Sequence, residues 1–136
     1  KDAKEKKRLA RIQSLYSKGV NALLAGQHSD ARDFFTRLLQ EDPGHGYALM
    51  RMGEVALHEG RPEDAVQYFE KARDAEARNL EILFGLARGF EAAARSDEAL
   101  EIYDRILRID EHNLAALVGK RRLFEKQDRW EEVNEI

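Results

Sequence analysis

The side chains able to do chemistry in this chain are four histidines and twenty-six carboxylates, with no cysteine. His28, His45, His58 and His112 are dispersed, and no HxxxH or HxH pair is present to seat a metal. Without cysteine there is no thiol catalysis and no zinc site that needs sulfur. Acidic pairs recur, as Glu63–Asp64, Asp97–Glu98 and Glu131–Glu132. Such pairs do general acid/base work in a water-poor cleft that splits their pKa values. Here they stand at the starts of predicted helices, where negative charge favours the helix dipole. The glycines occur singly and form no phosphate-cradling loop. No catalytic residue, metal or cofactor is expected, so the chain is read as a non-enzyme.

What remains is binding chemistry, carried by aromatic and arginine side chains, and it depends on what positions them. The chain has 136 residues, enough for one domain that buries a core without disulfides. Charged residues make up 36% of it at a net charge of -3, against the basic excess that nucleic-acid binding needs. No apolar run approaches the roughly 20 residues of a bilayer span.

A repeat supplies the framework. Ala31, Ala65 and Ala99 follow one another at 34 residues, and Phe35, Phe69 and Tyr103 keep the same step. So do Leu15, Leu49, Leu83 and Leu117; Gly19, Gly53 and Ala87; Gly26, Gly60 and Ala94; and Asp42, Glu76 and Asp110. Six columns in register without an insertion are a specific signal. Leu49, Met52, Gly53 and Ala56 lie on one face of a helix, as do Ala65, Phe69 and Ala72 on the next. Gly60 ends the first helix of this pair and Pro62 opens the second. Gly53 and Ala65 are small so that two helices can approach, and Phe69 fills the space to the next hairpin. The pattern predicts helices over 4–25, 28–41, 45–59, 62–75, 79–93, 96–109 and 113–127, with another from 129 onward. One hairpin cannot bury its own apolar face, so stacking is obligatory.

These columns resemble the tetratricopeptide repeat, 34 residues of helix–turn–helix. The resemblance implies an all-α, right-handed superhelical solenoid of antiparallel helix pairs. The repeats fall at 12–45, 46–79 and 80–113, with a partial fourth at 114–136, after a basic N-terminal helical extension over 1–11. Ala77 and Glu111 stand where the family often has proline. The resemblance also implies a concave face, lined by first helices, that takes extended or helical peptides. Its candidate contacts are Tyr16, Val20, Tyr47, Met50, Arg51, Glu54, Phe84, Arg88 and Arg122, with Gln13, Leu24, His58, Glu91, Val118 and Lys126 nearby. Tyr16, Tyr47, Met50 and Phe84 are expected to meet solvent, as exposed apolar clusters do at interaction sites. Arg51, Arg88 and Arg122 suggest a ladder along a peptide, although Arg51 and Glu54 at i, i+3 also suit a simple pair.

Two groove chemistries of the family are disfavoured. The chaperone carboxylate clamp would need lysines and asparagines where this chain has Tyr16, Val20, Glu81 and Gly85; only Arg51 is apt. The asparagine ladder would fall on Ser17, Arg51, Gly85 and Gly119.

The first eleven residues carry +4 and the remainder -7. Residues 4–11 read as a solvated helical extension with Leu9 and Ile12 on its packed side, as a juxtamembrane segment under the positive-inside rule, or as a nucleic-acid arm, which the acidic remainder disfavours. The expected function is a protein-interaction scaffold, bacterial and cytoplasmic, binding a protein or peptide partner and no nucleic acid. Contact with a membrane, the inner membrane in particular, would require a segment outside this sequence. The alternatives are a self-associating homo-oligomer using Leu123, Trp130 and Val133, and a regulatory array of a larger protein.

Overall fold

Seven helices occupy residues 2–127, the part of the chain that the computed structural model describes. They are α1 (Asp2–Leu24), α2 (His28–Glu41), α3 (Gly46–His58), α4 (Pro62–Ala75), α5 (Leu80–Ala92), α6 (Ser96–Ile109) and α7 (Leu114–Lys126). The helix boundaries predicted from the repeat agree with these to within two residues. The helix expected from 129 onward lies outside the described residues, as do Trp130 and Val133.

Consecutive helices pack as antiparallel pairs, α1 with α2, α3 with α4 and α5 with α6, and α3 also touches α5 directly. First helices thus form one layer and second helices the other. The result is an all-α, right-handed superhelical solenoid.

The turns follow from two local devices. Inside each hairpin the chain reverses through a left-handed residue, at φ +77° in Gly26 and +73° in Gly60. The next amide then closes back on the helix, as Arg61 N–H donates to the Ala56 carbonyl at 2.8 Å. The third hairpin makes the same turn with Ala94 at φ +61°, where a Cβ is strained. Between hairpins a side chain caps the new helix. His45 Nδ1 accepts from Ala48 N–H at 3.0 Å, Asn79 Oδ1 from Ile82 N–H at 3.2 Å, and Asn113 Oδ1 from Ala116 N–H at 3.0 Å. The corresponding position in the first repeat is Arg11, which offers no acceptor, and α1 runs through it without a break.

The core lies between the layers, and glycines make room for its aromatics. Phe35 and Phe69 are fully buried. A Cβ on Gly53 would come within 2.7 Å of the Phe69 ring, and one on Gly85 would overlap the ring from its other side. Phe69 is therefore gripped by a glycine of its own hairpin and a glycine of the next. Tyr103 meets Gly119 in the same way, at 2.5 Å from a Cβ built there. Gly53 is small to admit a ring, which refines the expected close approach of backbones.

The N-terminal extension is docked by its arginines. Arg8 donates to the Glu41 carbonyl at 2.9 Å and Arg11 grips the Glu41 carboxylate at 3.1 Å. Both contacts suit the negative end of α2. Ile12 is buried as expected, but Leu9 is 53% exposed and does not pack.

Candidate functional site

The first helices α1, α3, α5 and α7 carry all nine candidate groove residues, and the repeat sets them in rows. Tyr16, Met50, Phe84 and Val118 form one row; Val20, Glu54, Arg88 and Arg122 form another. The rows differ greatly in what they expose.

Met50 corrects an expectation. It is 1% exposed and belongs to the core cluster with Leu83 and Leu86, because α3 and α5 touch along this row. Val20 packs against the first core cluster, and so does Tyr16, whose ring lies 5.9 Å from Phe35 and 5.6 Å from His45. Phe84 is half-buried with its ring 6.4 Å from Tyr103. Tyr47 is 47% exposed, and Val118, at the far end of the row, is 50% exposed.

The arginine row is mostly engaged within the molecule. Arg51 Nε donates to the Tyr16 hydroxyl at 3.2 Å while its guanidinium pairs with Glu54 at 3.2 Å. Burial lowers the Arg51 pKa, but these two partners outweigh it and leave the group above its ordinary value. Arg122 bonds both oxygens of Glu91 at 2.9 Å and the Tyr103 hydroxyl at 3.3 Å. Tyr103 in turn donates to Glu91 at 2.5 Å. Its phenol is pushed up to about 12, by burial first and then by the Glu91 carboxylate, against the pull of Arg122. Arg88 differs from both. It is exposed and has no ion pair among the described residues. The three arginines form two internal clasps and one free cation, rather than an open ladder.

Gly85 and Gly119 are buried, with no space for a Cβ beside Phe69 and Tyr103. An asparagine at either position would displace a core ring. Packing thus keeps these two first-helix positions of the third and fourth repeats without a side chain.

Sequence reasoning missed one juxtaposition. His28 and His58 stack at 3.7 Å between ring centroids and 4° between planes, bridging the start of α2 and the end of α3. Their columns differ, so the repeat gave no signal of it. His28 Nδ1 also meets the Gly26 carbonyl at 3.1 Å. Among the described residues no group of three or more histidine or carboxylate side chains is placed to hold a metal ion. No described helix is long and apolar enough to cross a membrane.

Comparison with known proteins decides the lineage. A family profile described as the tetratricopeptide repeat protein 21 N-terminal ARM repeat matches residues 1–134. The chain belongs to this tetratricopeptide repeat family. No curated protein matches it. Among solved structures, the Arabidopsis OM64 tetratricopeptide domain superposes with a TM-score of 0.80 at 19% identity, over 87% of this chain and 98% of that one. A crystal structure of MamA gives 0.86 at 15% identity, over 91% and 72%. The first tetratricopeptide domain of Spaghetti (RPAP3), bound to the HSP90 peptide SRMEEVD, gives 0.80 at 17% identity, over 88% and 97%. At these identities the likenesses establish the shared fold.

Proposed function

We propose that this solenoid is a protein-interaction module that holds a partner's peptide segment along its first helices and catalyses no reaction. One observation carries the proposal. Arg88 stands exposed and without an ion pair among the described residues, in a row whose neighbours Glu54 and Arg122 are engaged, with half-buried Phe84 one turn before it on α5 and exposed Tyr47 near the start of α3. An aromatic surface beside an uncommitted guanidinium suits a peptide carrying a carboxylate next to an apolar side chain. The peptide-bound relative supports a groove of this kind on this fold. The chemistry of this groove differs from a carboxylate clamp, since Tyr16 and Glu81 replace cations and Arg51 is committed to Tyr16 and Glu54.

The test is affinity capture from a peptide library with the wild-type chain and with Tyr47→Ala/Phe84→Ala/Arg88→Glu. Selected peptides should carry an acidic residue near an apolar one, and the triple variant should lose them. Recovery of the same peptides by the triple variant would refute groove binding.

Self-association is a second proposal with its own observation. Leu114 is 72% and Val118 is 50% exposed, one turn apart on α7. Leu123, expected at that contact, is buried at 1% and cannot take part. A mass that stays monomeric at high concentration in light scattering removes this reading.

A further inference from the structure

A groove lies along the outer side of α1 and α2, apart from the candidate residues of the first-helix face. It is an open trough of about 930 Å³. Lys7, Arg11 and Lys18 line one wall and Arg37 the other, over a floor that includes Ala10 and Leu15. Lys7, Arg11, Ser14 and Lys18 recur at i, i+4, i+7 and i+11, a single stripe about 16 Å long on α1. The acidic group of the trough, Glu41, is taken by Arg11 at 3.1 Å. Lys7, Lys18 and Arg37 have no ion pair among the described residues.

The repeat shows what sits on this face elsewhere. The positions equivalent to Ser14 are Ala48, Ile82 and Ala116, all fully buried. Those equivalent to Lys18 are Met52, Leu86 and Lys120. In the interior hairpins the second helix of the preceding pair covers these positions: Ala48 and Met52 share a cluster with Phe35 and Leu38 of α2. On α7 the covering helix is α6, and there Lys120 takes a carboxylate from it, with Asp104 at 2.7 Å. The molecule thus contains one worked example of a lysine in this column answering an acidic side chain on the helix above it. An in-line hairpin joined by the usual turn would need to reverse at residues 8–11, where α1 is continuously helical.

We infer that the outer α1/α2 trough is a second docking site, and that its occupant is an acidic helix from a partner protein. A helix fits because helices fill the same face in every other repeat. Acidic residues fit because the stripe replaces the apolar contacts of Met52 and Leu86 with a lysine, and the trough adds Lys7 and Arg37, neither in an ion pair among the described residues, the Arg37 guanidinium lying 5.4 Å from the Phe34 ring. Carboxylates spaced by one and three turns on the incoming helix would meet Lys7, Lys18 and Arg37 across the small floor residues.

The test uses a stapled, fluorescein-labelled peptide with the sequence of α6, the helix that already engages Lys120, and a control in which its Asp and Glu are replaced by Asn and Gln. Fluorescence anisotropy is read with the full chain, and circular dichroism confirms that each variant keeps its fold. The acidic peptide should bind and the neutral control should not. Affinity should fall on the order of tenfold in Lys18→Glu/Arg37→Glu, fall again as salt rises, and survive in Arg88→Glu. Because Arg88 lies on the concave face, this site and the proposed groove fail separately. Equal binding by the double variant, no binding of the acidic peptide to wild type, or binding only to mixed phosphatidylcholine–phosphatidylserine vesicles overturns the inference. The last result would assign the stripe to a membrane surface.

Discussion

Gly85→Ala is the sharpest probe of how the hairpins lock together. On an open helix the change is favourable by about 1 kcal/mol, because alanine is the better helix former. Here the added methyl overlaps the Phe69 ring, which is fully buried and already flanked by Gly53 at 2.7 Å from a Cβ built there. The ring has no side to which it can retreat, so overpacking should cost about 3 kcal/mol, the upper end of its range. The net is a loss of about 2 kcal/mol, or about 8 °C in Tm for a chain of this size. Thermal and urea unfolding followed by far-UV circular dichroism would measure it. Gly44→Ala is the control, since nothing lies within 4 Å of that position and its stability should change little. Shortening the ring should relieve the clash, so Gly85→Ala with Phe69→Leu should cost at least about 1 kcal/mol less than the two changes summed. A Gly85→Ala protein as stable as wild type or more so, or a strictly additive pair, would refute the two-sided grip on Phe69.

Three further outcomes follow from particular contacts. Ala94→Gly should raise stability by about 0.5–1 kcal/mol in the same unfolding assay, because it removes a Cβ from a left-handed turn at φ +61°. Asn79→Ala should cost about 1 kcal/mol by leaving the Ile82 amide at the start of α5 without its cap. The Tyr103 phenol, raised to about 12 in the folded chain, favours the folded state fully below its ordinary value near 10, and that contribution is lost as pH rises from about 10 to 12. Glu91→Gln should lower the Tyr103 titration seen by ultraviolet absorbance, yet leave it above 10 because burial is the larger cause.

The periodic columns determined most of this architecture. Ala31, Phe35, Gly53 and Leu83 bury because a helical period and a 34-residue step leave each apolar face a single partner, the adjacent hairpin. Helix ends were legible for a similar reason: Gly26, Gly60 and Pro62 act through their own backbone preferences, which depend on no distant residue. The groove was less legible. Met50 and Tyr47 lie three residues apart on the same helix, and both read as solvent-facing; only the contact of α3 with α5 decided that one is buried and the other open. Likewise Arg51, Arg88 and Arg122 look alike in a sequence, and their fates were set by which hydroxyl or carboxylate the stack brought within reach. The His28–His58 stack and the cationic trough on α1 and α2 belong to the same class. Local and repeating interactions can be read along a chain, whereas the commitment of a long polar side chain depends on groups that only tertiary packing places beside it.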